Sequence, residues 1–148
     1  MPLGFLRRLL LSTGHADLQP EDARSAVAAV LVMAARADGH YDAVEQTMID
    51  KVLAKRFGLT PEQTRGLRED GEAAEAEAID LYQFSRSIKQ AIPHDERVAI
   101  LEEMWGVVLA DGVRDAHEDS LMRHMTDRLG LSEMDSAKAR QRVIAAKC

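Results

Sequence analysis

At 148 residues, with 46% apolar and 30% charged, the chain has the size and balance of one globular domain with its own core. A formal charge of −6 argues against a nucleic-acid partner, because phosphate backbones are held by clustered Lys and Arg, but it suits a cation or a basic protein surface. The single cysteine, Cys148, excludes an intrachain disulfide and a thiolate metal cage, which fits a reducing, cytoplasmic setting.

The chain opens with Met1-Pro2-Leu3-Gly4-Phe5-Leu6-Arg7-Arg8-Leu9-Leu10-Leu11, an apolar run split by two arginines. It is too short for a signal-peptide core with its cleavage site, and it falls well below the roughly 20 residues that span a bilayer. A short helix over 3–11, docked on the domain, is expected. The sharper alternative is a weak membrane-surface or partner anchor, with Arg7 and Arg8 at the headgroups.

An internal repeat organises the rest. Residues 20–49 align with 93–122 at a constant offset of 73, without a gap. Identities fall at Pro20/Pro93, Asp22/Asp95, Arg24/Arg97, Ala26/Ala99, Ala37/Ala110, Asp38/Asp111, Gly39/Gly112, Asp42/Asp115, Ala43/Ala116 and Glu45/Glu118. After a slip of one residue, Phe57-Gly58-Leu59-Thr60 matches Leu129-Gly130-Leu131-Ser132, so the halves extend over about 20–67 and 93–146.

Each half reads as three helices. The first starts at a proline, which suits an initial helical position, and runs to Ala-Asp-Gly. Stretches 27–35 and 98–109 are apolar on nearly all sides and should form the centre of the core. In the second helices, Val44, Met48, Ile49, Val52, Leu53 and Phe57, and likewise Leu121, Met122, Met125 and Leu129, recur at helical spacing. Gly58 and Gly130 should end them. The third helices start at Thr60-Pro61-Glu62-Gln63, a capping box, and at Ser132-Glu133-Met134-Asp135.

Between the halves, Glu69-Asp70-Gly71-Glu72 interrupts the pattern. A further helix is expected from about 76 to 92, with Ala78, Leu81, Tyr82, Ser85, Ile88 and Ile92 on one face. Its acidic start (Glu72, Glu75, Glu77, Asp80) and basic end (Arg86, Lys89) complement the helix dipole, so the acidic run reads as a solvated helix start. No alternating strand pattern occurs. The chain reads as all-α, a single domain over 1–148 and a compact bundle of about seven helices with an internal two-fold pseudo-repeat.

The candidate chemistry lies in Asp38-Gly39-His40-Tyr41-Asp42-Ala43-Val44-Glu45 and Asp111-Gly112-Val113-Arg114-Asp115-Ala116-His117-Glu118. Asp42 and Asp115 stand at N-cap positions, with Glu45 and Glu118 three residues on, so capping boxes account for these four. Asp38 and Asp111 end the central helices, where the dipole disfavours a negative charge. Each turn gathers three carboxylates within eight residues, the oxygen ligands a hard cation such as Ca²⁺ or Mg²⁺ takes. Asp38, Asp42, Glu45, Asp111, Asp115 and Glu118 are therefore candidate metal ligands, in a spacing that is not that of an EF-hand. Capping with turn chemistry, and a cation site, both stand as readings.

His117 and His124 lie seven apart but make too few ligands for zinc, and Trp105 reads as core. There is no phosphate loop, Gly-x-Ser-x-Gly elbow or Cys/His pair, so an enzyme is not expected.

The doubled unit, Ala37-Asp38-Gly39 followed by Glu45 and Ala110-Asp111-Gly112 followed by Glu118, closes on Phe57-Gly58-Leu59 and Leu129-Gly130-Leu131. In this it resembles the TerB-like family of tellurite-resistance proteins, over residues 22–131. The resemblance implies an all-helical fold with pseudo-symmetry and metal ions at the acidic turns. It further implies a non-enzymatic role in tellurite resistance or stress response, with protein partners in a membrane-associated complex peripheral to the inner membrane. A related module occurs in some membrane-anchored J-domain co-chaperones, whose J-domain motif this chain does not show.

Overall fold

The computed structural model describes residues 20–37, 39–78, 82–110 and 116–147, and every regular element among them is helical. Among the described residues seven helices follow one another: α1 (Pro20–Arg36), α2 (Ala43–Phe57), α3 (Pro61–Glu77), α4 (Tyr82–Ala91), α5 (His94–Val108), α6 (Ala116–Arg128) and α7 (Glu133–Lys147). The expected helix over 3–11 and Cys148 lie outside the described residues. Within those residues, no helix is long and apolar enough to cross a membrane.

α1 is the axis of the core. Every side chain from residue 26 to residue 35 is buried, and α3, α4 and α5 pack around them. Its run of Ala and Val keeps the helix slim, so neighbours come close. The closest is α3, at Gly71: a Cβ there would stand 2.7 Å from Ala28 Cβ and 2.8 Å from the Ala28 carbonyl carbon. Gly71 is therefore a crossing point and not the interruption its sequence context suggested. α3 runs unbroken through it to Glu77.

This moves the acidic run as well. Glu72, Glu75 and Glu77 end α3 instead of starting the next helix, and α4 begins at Tyr82 instead of near residue 76. Asp80 and Leu81 lie outside the described residues. Carboxylates at a helix C-terminus oppose the dipole. Here arginines compensate: Arg36 pairs with Glu75 at 2.5 Å and Arg68 with Glu72 at 2.9 Å.

α5 buries Ile100, Leu101, Met104, Trp105, Val107 and Val108, whereas Val98 and Leu109 are half-buried. It is thus less enclosed than α1. Glu103 on its flank meets Arg56 of α2 at 2.7 Å, and Glu102 meets Arg142 of α7. On α2, Ile49 and Leu53 enter the core, and on α6 Met122, Met125 and Leu129 do. Val44, expected on the apolar face of α2, is instead 67% exposed in the first turn beside the cap.

The local signals hold. Gly58 (φ 64°) and Gly130 (φ 72°) follow α2 and α6 in the left-handed conformation that favours glycine. Thr60 Oγ1 accepts from Gln63 N–H at 3.2 Å while Gln63 Oε1 accepts from Thr60 N–H at 3.0 Å. Ser132 and Asp135 exchange the same pair of bonds at 3.0 Å each. α2 and α6 start 73 residues apart and α3 and α7 start 72 apart, whereas α5 does not start at its proline as expected: Pro93 is its N-cap and His94 its first residue.

Candidate functional site: the acidic helix starts and a groove

α2 begins as its sequence dictates. Asp42 has extended backbone, and its Oδ1 accepts from the N–H of Val44 at 3.1 Å and of Glu45 at 3.2 Å. Glu45 Oε1 accepts in return from Asp42 N–H at 3.3 Å, which completes the capping box. Gly39 takes φ 84° in the preceding turn, and its N–H donates to the Arg36 carbonyl at 3.0 Å.

Glu45 is only 7% exposed, and Glu118, at the same place in α6, is 2% exposed. Burying a carboxylate is costly unless donors or opposite charge compensate it, and the first turn of a helix supplies part of that through its dipole. Of the six candidate ligands, the structure places Asp42, Glu45 and Glu118. Asp38, Asp111 and Asp115 lie outside the described residues. Among the described residues, no three of His, Cys, Asp and Glu gather as a metal site would require. His117 and His124 are both exposed, and the His124 ring stands 6.4 Å from that of Tyr82.

One participant was not anticipated from the sequence. Tyr41, inside the first acidic turn, donates its hydroxyl to Glu72 of α3, and Arg36 lies over its ring at 4.9 Å. Burial, reinforced by Glu72, pushes the Tyr41 hydroxyl pKa up, so it remains protonated. Arg68 then links Glu72 to Asp50 of α2, with Nε 2.7 Å from Asp50 Oδ1. Burial works against the Arg68 charge, but hydrogen bonds to Asp50 and Glu72 outweigh it and raise the pKa. The first turn is thereby tied to α3. The second half carries Arg114 where the first carries Tyr41, the sequence signal that the halves are not equivalent here.

Trp105 is buried, as expected for core, and its Nε1–H donates to Ser136 Oγ at 3.1 Å. It also lines a groove of about 410 Å³ between α6 and α7, together with Asp119, Met122, Arg123, Thr126 and Leu131. Asp127 and Glu133 stand at the end where α6 turns into α7.

Comparison with known families finds one described as tellurite resistance protein TerB, whose model matches residues 24–141. No curated protein and no solved structure matches the chain.

Proposed function

The chain belongs to the TerB family, and on that premise we propose that it is a non-enzymatic module whose two acidic helix starts each take a divalent cation, Ca²⁺ or Mg²⁺. Cation occupancy sets the surface offered to a protein partner, in tellurite resistance or a stress response. The module is a single domain of two related halves, cytoplasmic and peripheral to the inner membrane through its partners.

The observation that supports this is the pair of buried carboxylates, Glu45 and Glu118, 73 residues apart at equivalent helix starts. Each adjoins two further acids, Asp38 and Asp42 or Asp111 and Asp115, whose mutual repulsion a cation offsets. The donor set fits a hard cation, since every member is a carboxylate oxygen. Asp42 is exposed and commits Oδ1 to backbone donors, which leaves its other oxygen for a ligand. Asp38 and Asp111 supply the remaining charge.

A second reading is favoured by the Asp42 hydrogen bonds: a scaffold in which these acids only cap helices. Thermal unfolding with and without Ca²⁺, Mg²⁺ or Mn²⁺ separates the two. A site stabilises by RT ln(1 + [L]/Kd), about 2.7 kcal/mol at a hundredfold excess over Kd. The midpoint should rise with cation in the native chain and not in Asp38→Asn/Asp111→Asn. An equal rise in the double variant would place the site elsewhere.

A further inference from the structure

The last helix, α7, has two distinct faces. Ser136, Ala139, Arg140 and Val143 are buried or half-buried, and Trp105 of α5 meets both Ser136 and Arg140. The opposite side carries Met134, Ala137, Lys138, Gln141, Ile144 and Ala145, all exposed. Among the described residues, large hydrophobic side chains are exposed at Val44, Met134 (62%) and Ile144 (40%), so two of the three fall on this one face. Met134, Ala137, Gln141 and Ile144 follow one another at steps of three, four and three residues, the spacing of a coiled-coil seam. The repeat sharpens the point. At the offset of 72 that relates α7 to α3, these four stand where α3 has Glu62, Arg65, Glu69 and Glu72. Glu62, Arg65 and Glu69 are exposed, as ordinary surface charges are. The second half has no charge along this line, and depletion of charge is what distinguishes the centre of a protein interface from the rest of the surface.

We propose that this face of α7 pairs with the same face of a second copy of the chain, the two helices lying parallel about a two-fold axis. Such a contact needs a self-complementary surface, and this one is. In a parallel pair each seam residue meets its own copy, and a flanking residue faces the one five places on in the other helix. Met134 and Ile144 then bury their copies at the two ends of the seam, and Ala137 lets the helices approach. Gln141 meets its own copy, where a polar residue fixes the register. On the flanks, Glu133 faces Lys138 of the second copy, once in each direction, and both are exposed in the single chain. An antiparallel pair on the same seam sets Lys138 against its own copy, so charge selects the parallel arrangement. The pairing is weak and reversible, because a helix of 15 residues offers a seam of only about 22 Å. This face is separate from the acidic helix starts, and either reading can fail without the other.

Sedimentation equilibrium of the full-length chain should show a monomer–dimer equilibrium with Kd below about 1 mM. Met134→Glu/Ile144→Glu puts back the charges that α3 carries at these positions. It should leave only monomer, with the thermal midpoint of the dilute protein nearly unchanged because both side chains are exposed. Glu133→Lys should weaken the dimer about tenfold, and adding Lys138→Glu should restore it. Gln141→Cys in a Cys148→Ser background should form a disulfide-linked dimer on mild oxidation, since a parallel pair sets position 141 against its own copy. The proposal is overturned by a monomer at every concentration up to about 1 mM, or by a dimer that persists in Met134→Glu/Ile144→Glu. It is equally overturned if the charge swap does not restore pairing, or if the Gln141→Cys chain dimerises without cross-linking.

Discussion

Gly71 of α3 lies directly over Ala28 of α1, so near that a Cβ on the glycine would come within 2.7 Å of the alanine's own. The neighbouring atoms include Ala28 and Ala29 backbone, which cannot yield as a flexible side chain does. Gly71→Ala should therefore destabilise by about 1–3 kcal/mol, the usual cost of overpacking. Gly66 lies on the same helix with nothing within 4 Å of its Cβ position, and there alanine should stabilise by up to about 1 kcal/mol. Urea unfolding of both variants tests the pair, and a neutral Gly71→Ala would contradict the close crossing.

The caps separate structure from ligand chemistry. Asp42→Ala and Thr60→Ala should each cost about 1 kcal/mol, since each removes an acceptor for first-turn N–H groups. Asparagine caps as well as aspartate, so Asp42→Asn should leave metal-free stability nearly unchanged. A large loss in Asp42→Asn would mean that its charge, and not its hydrogen bonding, holds the turn.

These short-range features were legible in the sequence because they follow local rules: Thr60 with Gln63, Asp42 with Glu45, and Gly58 and Gly130 as helix stops. Gly71 differs from its sequence expectation for the opposite reason. A glycine among acids looks like a breaker by propensity, and only the approach of α1, more than forty residues earlier, explains it. The acidic end of α3 was misplaced likewise, because its arginine partner Arg36 is 39 residues away from Glu75. Nothing local to Tyr41 marks its role, since its partner Glu72 lies 31 residues on. The repeat exposed the candidate acids as a set, but helix-start chemistry and ligand chemistry use the same residue types at the same spacing.

Glu103 provides a pH signature. Burial raises its pKa above the ordinary carboxylate range, against the opposing pull of Arg56 at 2.7 Å. A carboxyl whose folded pKa exceeds its unfolded value contributes stability in acid that is lost as pH rises through the folded pKa. Wild type should therefore lose stability relative to Glu103→Gln between about pH 4 and pH 7, the other carboxyls being common to both chains. Urea unfolding across that range measures the gap, and a gap that is flat or widens in favour of wild type would contradict it.

The claim that the acidic helix starts are cation sites is tested most directly by calorimetric titration of the full-length chain with Ca²⁺, Mg²⁺ and Mn²⁺. Saturable binding of one of these cations is expected at up to about millimolar concentration, reduced in Asp38→Asn alone and lost in Asp38→Asn/Asp111→Asn. No binding of any of the three, or the same titration curve in the double variant, would contradict it.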